Sequence, residues 1–348
     1  MSYINTVLGP IAPEQLGITM MHEHLLWNQE VYQKEIDPEK PEEAFLARKI
    51  CLEDLCKIRL CHMHNHRDNA KQLDTEEAVP EVMRLKKAGG GALVDCSCLG
   101  IGRYPEAEKI ISQKTGLHII MATGVYVQGS CAETKNLTCE EKTELFVREL
   151  TEGVDGTDIK AGVIGEIGVT EDFPECEQQS LAAAAKAQSA TGAAVLIHQP
   201  GLKKIGHDIL DVFEENGGDL KKTVLCHCDP FSGDAAYLER LLQRGVNISF
   251  DQFGLEFLIK VEGEKGLWLP RDIDRIRRIA RLCELGYGKQ LVLSQDLCFK
   301  VCYVKNGGGG YAHILENILP LMRLEGIRDT AIRRMLVSNP ARILALPE

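Results

Sequence analysis

Eight short aliphatic runs, each followed by a stretch of helical patterning, constrain this chain more than any other feature. They fall at about 18–23, 92–96, 118–124, 161–166, 193–198, 223–227, 246–251 and 290–296. The runs are near-continuous in Val, Ile, Leu and Ala rather than alternating apolar with polar. Strands covered on both faces, as parallel strands are, read this way. Helical patterning occupies 75–88, 105–113, 140–152, 177–190, 208–215, 235–243 and 271–285, with two closing helices near 313–323 and 329–336. An open, doubly wound sheet would alternate in the same manner. However, no Gly-X-Gly-X-X-Gly follows an early run, and the glycine run 307–310 comes after the eighth. Eight units without a linker predict an α/β protein of the (β/α)8 TIM-barrel class, one domain over residues 1–348. Residues 4–16 read as a lead-in hairpin. The polar stretch 28–74, with helical patterning at 42–59, reads as an insertion after the first strand that forms part of a lid.

Polar residues finish these runs. His22 and His24 end the first, Glu166 the fourth, His198 the fifth, His227 the sixth and Asp296 the eighth. On an extended strand His22 and His24 share a face while Glu23 takes the other. In such a barrel the C-terminal strand ends face the active site. Singly, each residue is ordinarily a cap or a satisfied core group. Four imidazoles and two carboxylates on one rim form the ligand set of a hydrolytic centre with two divalent metal ions.

Composition narrows the partners. The formal net charge of −11 and an aromatic content of 5% argue against nucleic acid. Thirteen cysteines without a Cys-X-X-Cys pair read as reduced thiols. Neither a charged-then-apolar leader at Met1 nor a run of membrane length is visible, so no membrane and a cytoplasmic location are expected. The expected partner is a small-molecule substrate, with a homodimer as the oligomer to test.

The motif Met21-His22-Glu23-His24, the separate His198 and His227, and Asp296 after an aliphatic strand resemble the phosphotriesterase-like branch of the amidohydrolase superfamily. The stretches 155–168 and 305–314 are similar to its phosphotriesterase-related subgroup. The resemblance covers nearly the whole chain and is loosest over the insertion. It implies two zinc ions: His22, His24 and Asp296 hold the more buried one, His198 and His227 the more exposed one. It also implies that a carboxylate and a hydroxide bridge them and that Asp296 takes the proton of the attacking hydroxide. Many relatives bridge with a carboxylated lysine. Lys160 stands six residues before Glu166, roughly 20 Å along a strand, and cannot reach. Glu166 is then the bridge. It stands one place beyond the usual lysine, so the fourth strand must bulge to keep it facing inward.

The implied activity is hydrolysis of an amide, lactone or ester carbonyl of a small anionic substrate. Promiscuous organophosphate or aryl ester hydrolysis is the alternative, and a catalytically idle metal-binding barrel the alternative of another class. Tyr126, Lys300, Tyr311 and His313 are expected to contact substrate, with Lys300 and Lys305 supplying positive character. Asp95 and Asp251 would orient ligands. Cys226 and Cys228 are expected to pack facing away from His227, and the cluster 61–66, with His62, His64 and His66, to be a solvated loop.

Overall fold

The computed structural model describes residues 2–347 apart from Pro38, Pro41, Glu42, Glu133, Gly263 and Glu264. Eight parallel strands form one sheet: β1 (Thr19–Glu23), β2 (Ala92–Asp95), β3 (His118–Thr123), β4 (Val163–Gly168), β5 (Ala194–His198), β6 (Thr223–Leu225), β7 (Asn247–Phe250) and β8 (Leu291–Leu293). They are ordered sequentially from β1 to β8. Helices α1 (Thr75–Lys87), α2 (Pro105–Thr115), α3 (Cys139–Thr151), α4 (Glu175–Thr191), α5 (Gly206–Glu215), α6 (Ala235–Gln243) and α7 (Asp272–Glu284) alternate with them. The sheet curls into a nearly closed (β/α)8 barrel, as the alternation of runs requires. No described helix is long and apolar enough to cross a membrane.

Residue alternation divides the core into two layers. Ala92, Val94, Ile120, Val163, Leu196, Val224 and Val292 fill the barrel interior. Their neighbours Leu93, Ile119, Ile164, Ile197, Leu225 and Leu293 face the helices. Burial on both faces is why the runs are aliphatic throughout. The N-terminal hairpin (Ile4–Thr6 with Gly9–Ile11) lies at the opposite end of the barrel from the strand C-termini. There Asn5 Nδ2 donates to the Ala161 carbonyl at 3.0 Å, and Tyr3 pairs with Leu346. Lys160 lies at this end too, in a cleft with Tyr3 and Asn5.

Two parts depart from the expected pattern. The helix expected at 42–59 is broken into the short turns Ala44–Ala47, Leu52–Asp54 and Leu55–Lys57. Carboxylates take the groups a helix would use: Asp68 Oδ2 accepts the Ile50 N–H at 2.9 Å, and Asp54 grips Arg48 through two bonds of 2.7 and 2.8 Å. The second departure is an antiparallel hairpin, Leu258–Glu262 with Lys265–Trp268, between β7 and α7. It packs against the insertion segment Ile58–His62, and together they roof the C-terminal end of the barrel.

β4 carries a register shift between Ile164 and Ile167 relative to β5. Strict alternation from the inward Val163 would turn Glu166 outward; the shift turns it inward. Gly165 sits in this shift at φ +132°, and an added Cβ would lie 2.3 Å from the Leu196 carbonyl oxygen. Backbone cannot yield to that contact as a side chain can. Gly165→Ala is therefore expected to destabilise the fold by about 3 kcal/mol, measured as a lowered urea midpoint at unchanged m-value.

Candidate functional site

The strand C-termini converge beneath a cavity of about 280 Å3 that His24, Glu166, His198, His227 and Asp296 line. Glu166 is the centre. Its Oε2 lies 3.5 Å from His22 Nε2, 3.1 Å from His198 Nδ1 and 3.3 Å from His227 Nε2, and its Oε1 lies 3.5 Å from His24 Nε2. Asp296 Oδ1 stands 3.3 Å from His24 Nε2 and 3.7 Å from His22 Nε2. The six residues expected from the strand ends are thus brought to one point.

Two of them reach it through unusual backbone. His227 has φ +54° and Asp296 φ +50°, a left-handed conformation that costs a residue with a Cβ roughly 1–2 kcal/mol. Cys226 packs in the barrel interior just beneath. Regular alternation would have sent His227 outward, and the left-handed turn returns it to the mouth. Cys226 is therefore not remote from the site, contrary to the strand-alternation reading. Its thiol lies within 4.8 Å of ligand atoms of His22 and Asp251. Cys228 is buried and accepts from Gln199 Nε2 at 3.1 Å.

The charges compensate one another. Burial would raise the Glu166 carboxyl, but His22, His198 and His227 around it hold it well below the usual range. Burial would lower His24, yet its contact with Asp296 and the nearby Glu166 raise it to about 9. His227 is raised above its ordinary value against burial by Asp251 and Glu166, while burial wins at His22 and lowers it. His22 is fully buried, and neither ring nitrogen has a hydrogen-bond partner. A buried imidazole with two unsatisfied nitrogens is costly unless something else binds it. Clusters of ligand atoms from His22, His24 and Glu166, from His22, His227 and Asp296, and from Glu166, His198 and His227 each lie within 4.8 Å of one another. Neutral imidazoles and carboxylates in this spacing fit a pair of divalent cations.

Outer contacts orient the inner ones. Asp251 Oδ1 accepts from His227 Nδ1 at 2.9 Å and also takes the His227 backbone N–H. Asp251 is fixed in turn: its N–H donates to Asp229 Oδ2 at 3.0 Å, and Arg275 Nε donates to Asp229 Oδ1 at 2.7 Å. His24 Nδ1 is 3.0 Å from Ser97 Oγ. Asp95 accepts the N–H groups of Leu25 and Ser97, and so shapes the loops that carry both.

Of the four expected substrate contacts only Tyr126 lines the cavity. Its hydroxyl lies 3.4 Å from His198 Nδ1 and accepts from the Tyr32 hydroxyl at 2.9 Å. Lys300 is buried outside the cavity wall, where its ammonium meets Asp68 at 2.7 Å and Glu77 at 3.3 Å and ties the insertion to α1. Lys305 pairs with Glu77 as well. Tyr311 is buried and donates to the His24 carbonyl at 2.6 Å. His313 pairs with Asp272 at 2.8 Å. The positive character expected near 300–305 is therefore neutralised. The lysine in the wall is Lys34, from the insertion, beside Tyr32, Met63 and His64. His64 packs edge-on against Phe299 and tilted against Tyr32, and His66 is fully buried, so the segment 63–66 is not a solvated loop. The His62 side chain lies outside the described residues. Gln252, Leu258 and Leu267 complete the wall from the β7 side.

Comparison with known proteins agrees with this geometry. The model of the phosphotriesterase family matches residues 2–344. A human protein named N-acetyltaurine hydrolase is 34% identical over 98% of this chain and 97% of its own length. The crystal structure of a resiniferatoxin-binding protein from Rhodobacter sphaeroides superposes with a TM-score of 0.92 at 38% identity, covering 98% of this chain and 94% of that one. A mutant of a phosphotriesterase-like lactonase from Deinococcus radiodurans gives 0.74 at 26% identity, covering 98% and 99%.

If Asp251 aligns His227 for a cation, Asp251→Asn should weaken uptake at the more exposed position by about ten- to a hundredfold. Competition against a chromophoric chelator measures this, with little change expected at the position near His24.

Proposed function

The chain belongs to the phosphotriesterase family, and from that premise we propose that it is a two-metal hydrolase that cleaves the amide bond of a small N-acylated amino acid or amino sulfonate. One observation carries the reading. Six residues from five strands converge on a cavity floor, two of them through strained backbone, in an arrangement that a merely structural role does not require. The named N-acetyltaurine hydrolase relatives, matched over almost their full length, support the amide class. Lactones present a similar carbonyl, and the lactonase likeness makes them the second class to test.

In this proposal His22, His24 and Asp296 would hold one cation and His198 and His227 the other, with Glu166 as the carboxylate shared by both. Bound zinc would supply a water of lowered pKa and polarise the scissile carbonyl. The chain's own residues do the rest. Asp296 reaches the cavity and accepts the proton released as water attacks. The same proton then serves the departing nitrogen, which cannot leave as an amide anion. The Tyr126 hydroxyl, held by Tyr32 at 2.9 Å at the cavity wall, is placed to donate to the carbonyl oxygen as negative charge develops there. The insertion and the hairpin after β7 cover the cavity and limit bulk water.

Lys34 is the one lysine or arginine among the described residues that line this cavity, so it is the contact for an acidic group on the substrate. The test is release of amine from N-acetyltaurine and N-acetyl amino acids, and ring opening of lactones, by metal-loaded protein. Turnover that chelator abolishes and zinc restores is expected; no turnover on either class would leave the idle barrel standing. Lys34→Ala should raise KM about three- to tenfold for anionic amides and leave neutral esters unchanged. Equal effects on both classes remove the charge contact.

Glu166 carries its carboxylate permanently, so zinc uptake by apo-protein should not depend on added bicarbonate. Glu166→Gln should lose paired occupancy, because an amide presents only one acceptor oxygen. Bicarbonate-dependent recovery, or two zinc ions retained in Glu166→Gln, would show that the bridge lies elsewhere.

A further inference from the structure

We infer that Glu23, which points away from the four imidazoles, is the residue that positions Asp296 for proton transfer. The inference rests on the hydrolase reading above. It starts from a gap in the barrel. Ladder pairing runs from β1 through β8 without joining the two ends, and β1 and β8 are the strands that deliver His22, His24 and Asp296. Side chains, with one backbone hydrogen bond, close this seam. Glu23 is fully buried, and its Oε1 accepts from Ser294 Oγ at 2.6 Å, from the Gln295 N–H at 2.8 Å and from Gln295 Nε2 at 2.9 Å. Its Oε2 accepts the Leu297 N–H at 3.1 Å. Ser294 Oγ also accepts the His22 N–H at 2.9 Å, and the Asp296 N–H donates to the His22 carbonyl at 3.1 Å.

The four donors come from residues on both sides of Asp296 and converge on one carboxylate. Asp296 itself is held at φ +50°, a conformation that persists only where its surroundings over-determine it. Glu23 supplies that determination. The carboxyl group of Glu23 meets four donors on its two oxygens, whereas glutamine would set an NH2 against one of them. The contact is thus matched in direction, donor to acceptor, not merely in volume. Filling space at the seam would need neither. A general base misplaced by about 1 Å loses much of its effect, although substrate binding remains.

Glu23→Gln is the test, made in zinc- and cobalt-loaded protein and followed by steady-state kinetics, metal content and the visible spectrum of the cobalt form. The expected result is two metals bound, KM within about twofold of the parent, kcat lower by about ten- to a hundredfold, and a changed cobalt spectrum because Asp296 has moved. A kcat like the parent's, an unchanged spectrum, or activity lost only in step with metal would overturn the inference. Ser294→Ala removes one arm of the same clamp with little loss of volume. If Glu23→Gln does not fold, kcat and spectrum in Ser294→Ala decide by the same criteria. Parent protein that binds no cobalt would sink the hydrolase reading instead, a separate outcome.

Discussion

Gathering four imidazoles, three of them buried, and three buried carboxylates in one place is the constraint on which the mouth of this barrel depends. A lone buried carboxylate is strongly penalised, and a lone buried imidazolium fares no better. Here every charge has an opposite within reach. Glu166 sits among His22, His198 and His227, Asp296 beside His24, and Asp251 beside His227. The cluster is thus held by mutual compensation. Arg275 and Asp229, both fully buried behind Asp251, extend the compensation one layer outward.

That requirement explains where the barrel gives up regularity. A strand places alternate residues inside, but the polar groups must meet near one point rather than in rows. The fourth strand shifts register at Gly165 and Glu166; the sixth and eighth end in left-handed residues. Each irregularity reorients one side chain of the cluster, and the two left-handed residues are each stabilised by a neighbour: Asp251 holds the His227 backbone, and the Glu23 clamp brackets Asp296. Strain of a few kcal/mol is sustainable because the aliphatic layers on both sides of the sheet supply far more.

This division sets what could be read from the chain. The barrel was legible because two-sided burial writes itself as eight aliphatic runs with helices between them. The polar residues at the run ends were legible because such residues are costly there without a purpose. The required bulge before Glu166 followed from the family resemblance, which sets it one place beyond the usual lysine, combined with period-two alternation. The facing of His227 relative to Cys226 did not, since a single left-handed residue leaves no mark when it is not glycine. The hairpin at 258–268 leaves only a weak mark, alternating residues around Glu-Gly-Glu-Lys between two stronger signals.

The cavity wall was the illegible part, for a physical reason. Whether a lysine faces solvent, a cavity or a carboxylate depends on which distant segment packs against it. Lys300 looked free in sequence, yet Asp68 arrives from the insertion and Glu77 from the first helix to neutralise it. Lys34 looked like any charge in a polar stretch, yet the strand pairing of Trp27–Asn28 with Lys71–Gln72 closes the insertion into a loop and sets Lys34 in the cavity wall. Barrel strands fix the groups of the cluster to one geometry, whereas the wall residues are set by how the insertion packs over the barrel. A site divided in this way keeps its chemistry in the strands and leaves choice of substrate to the loops.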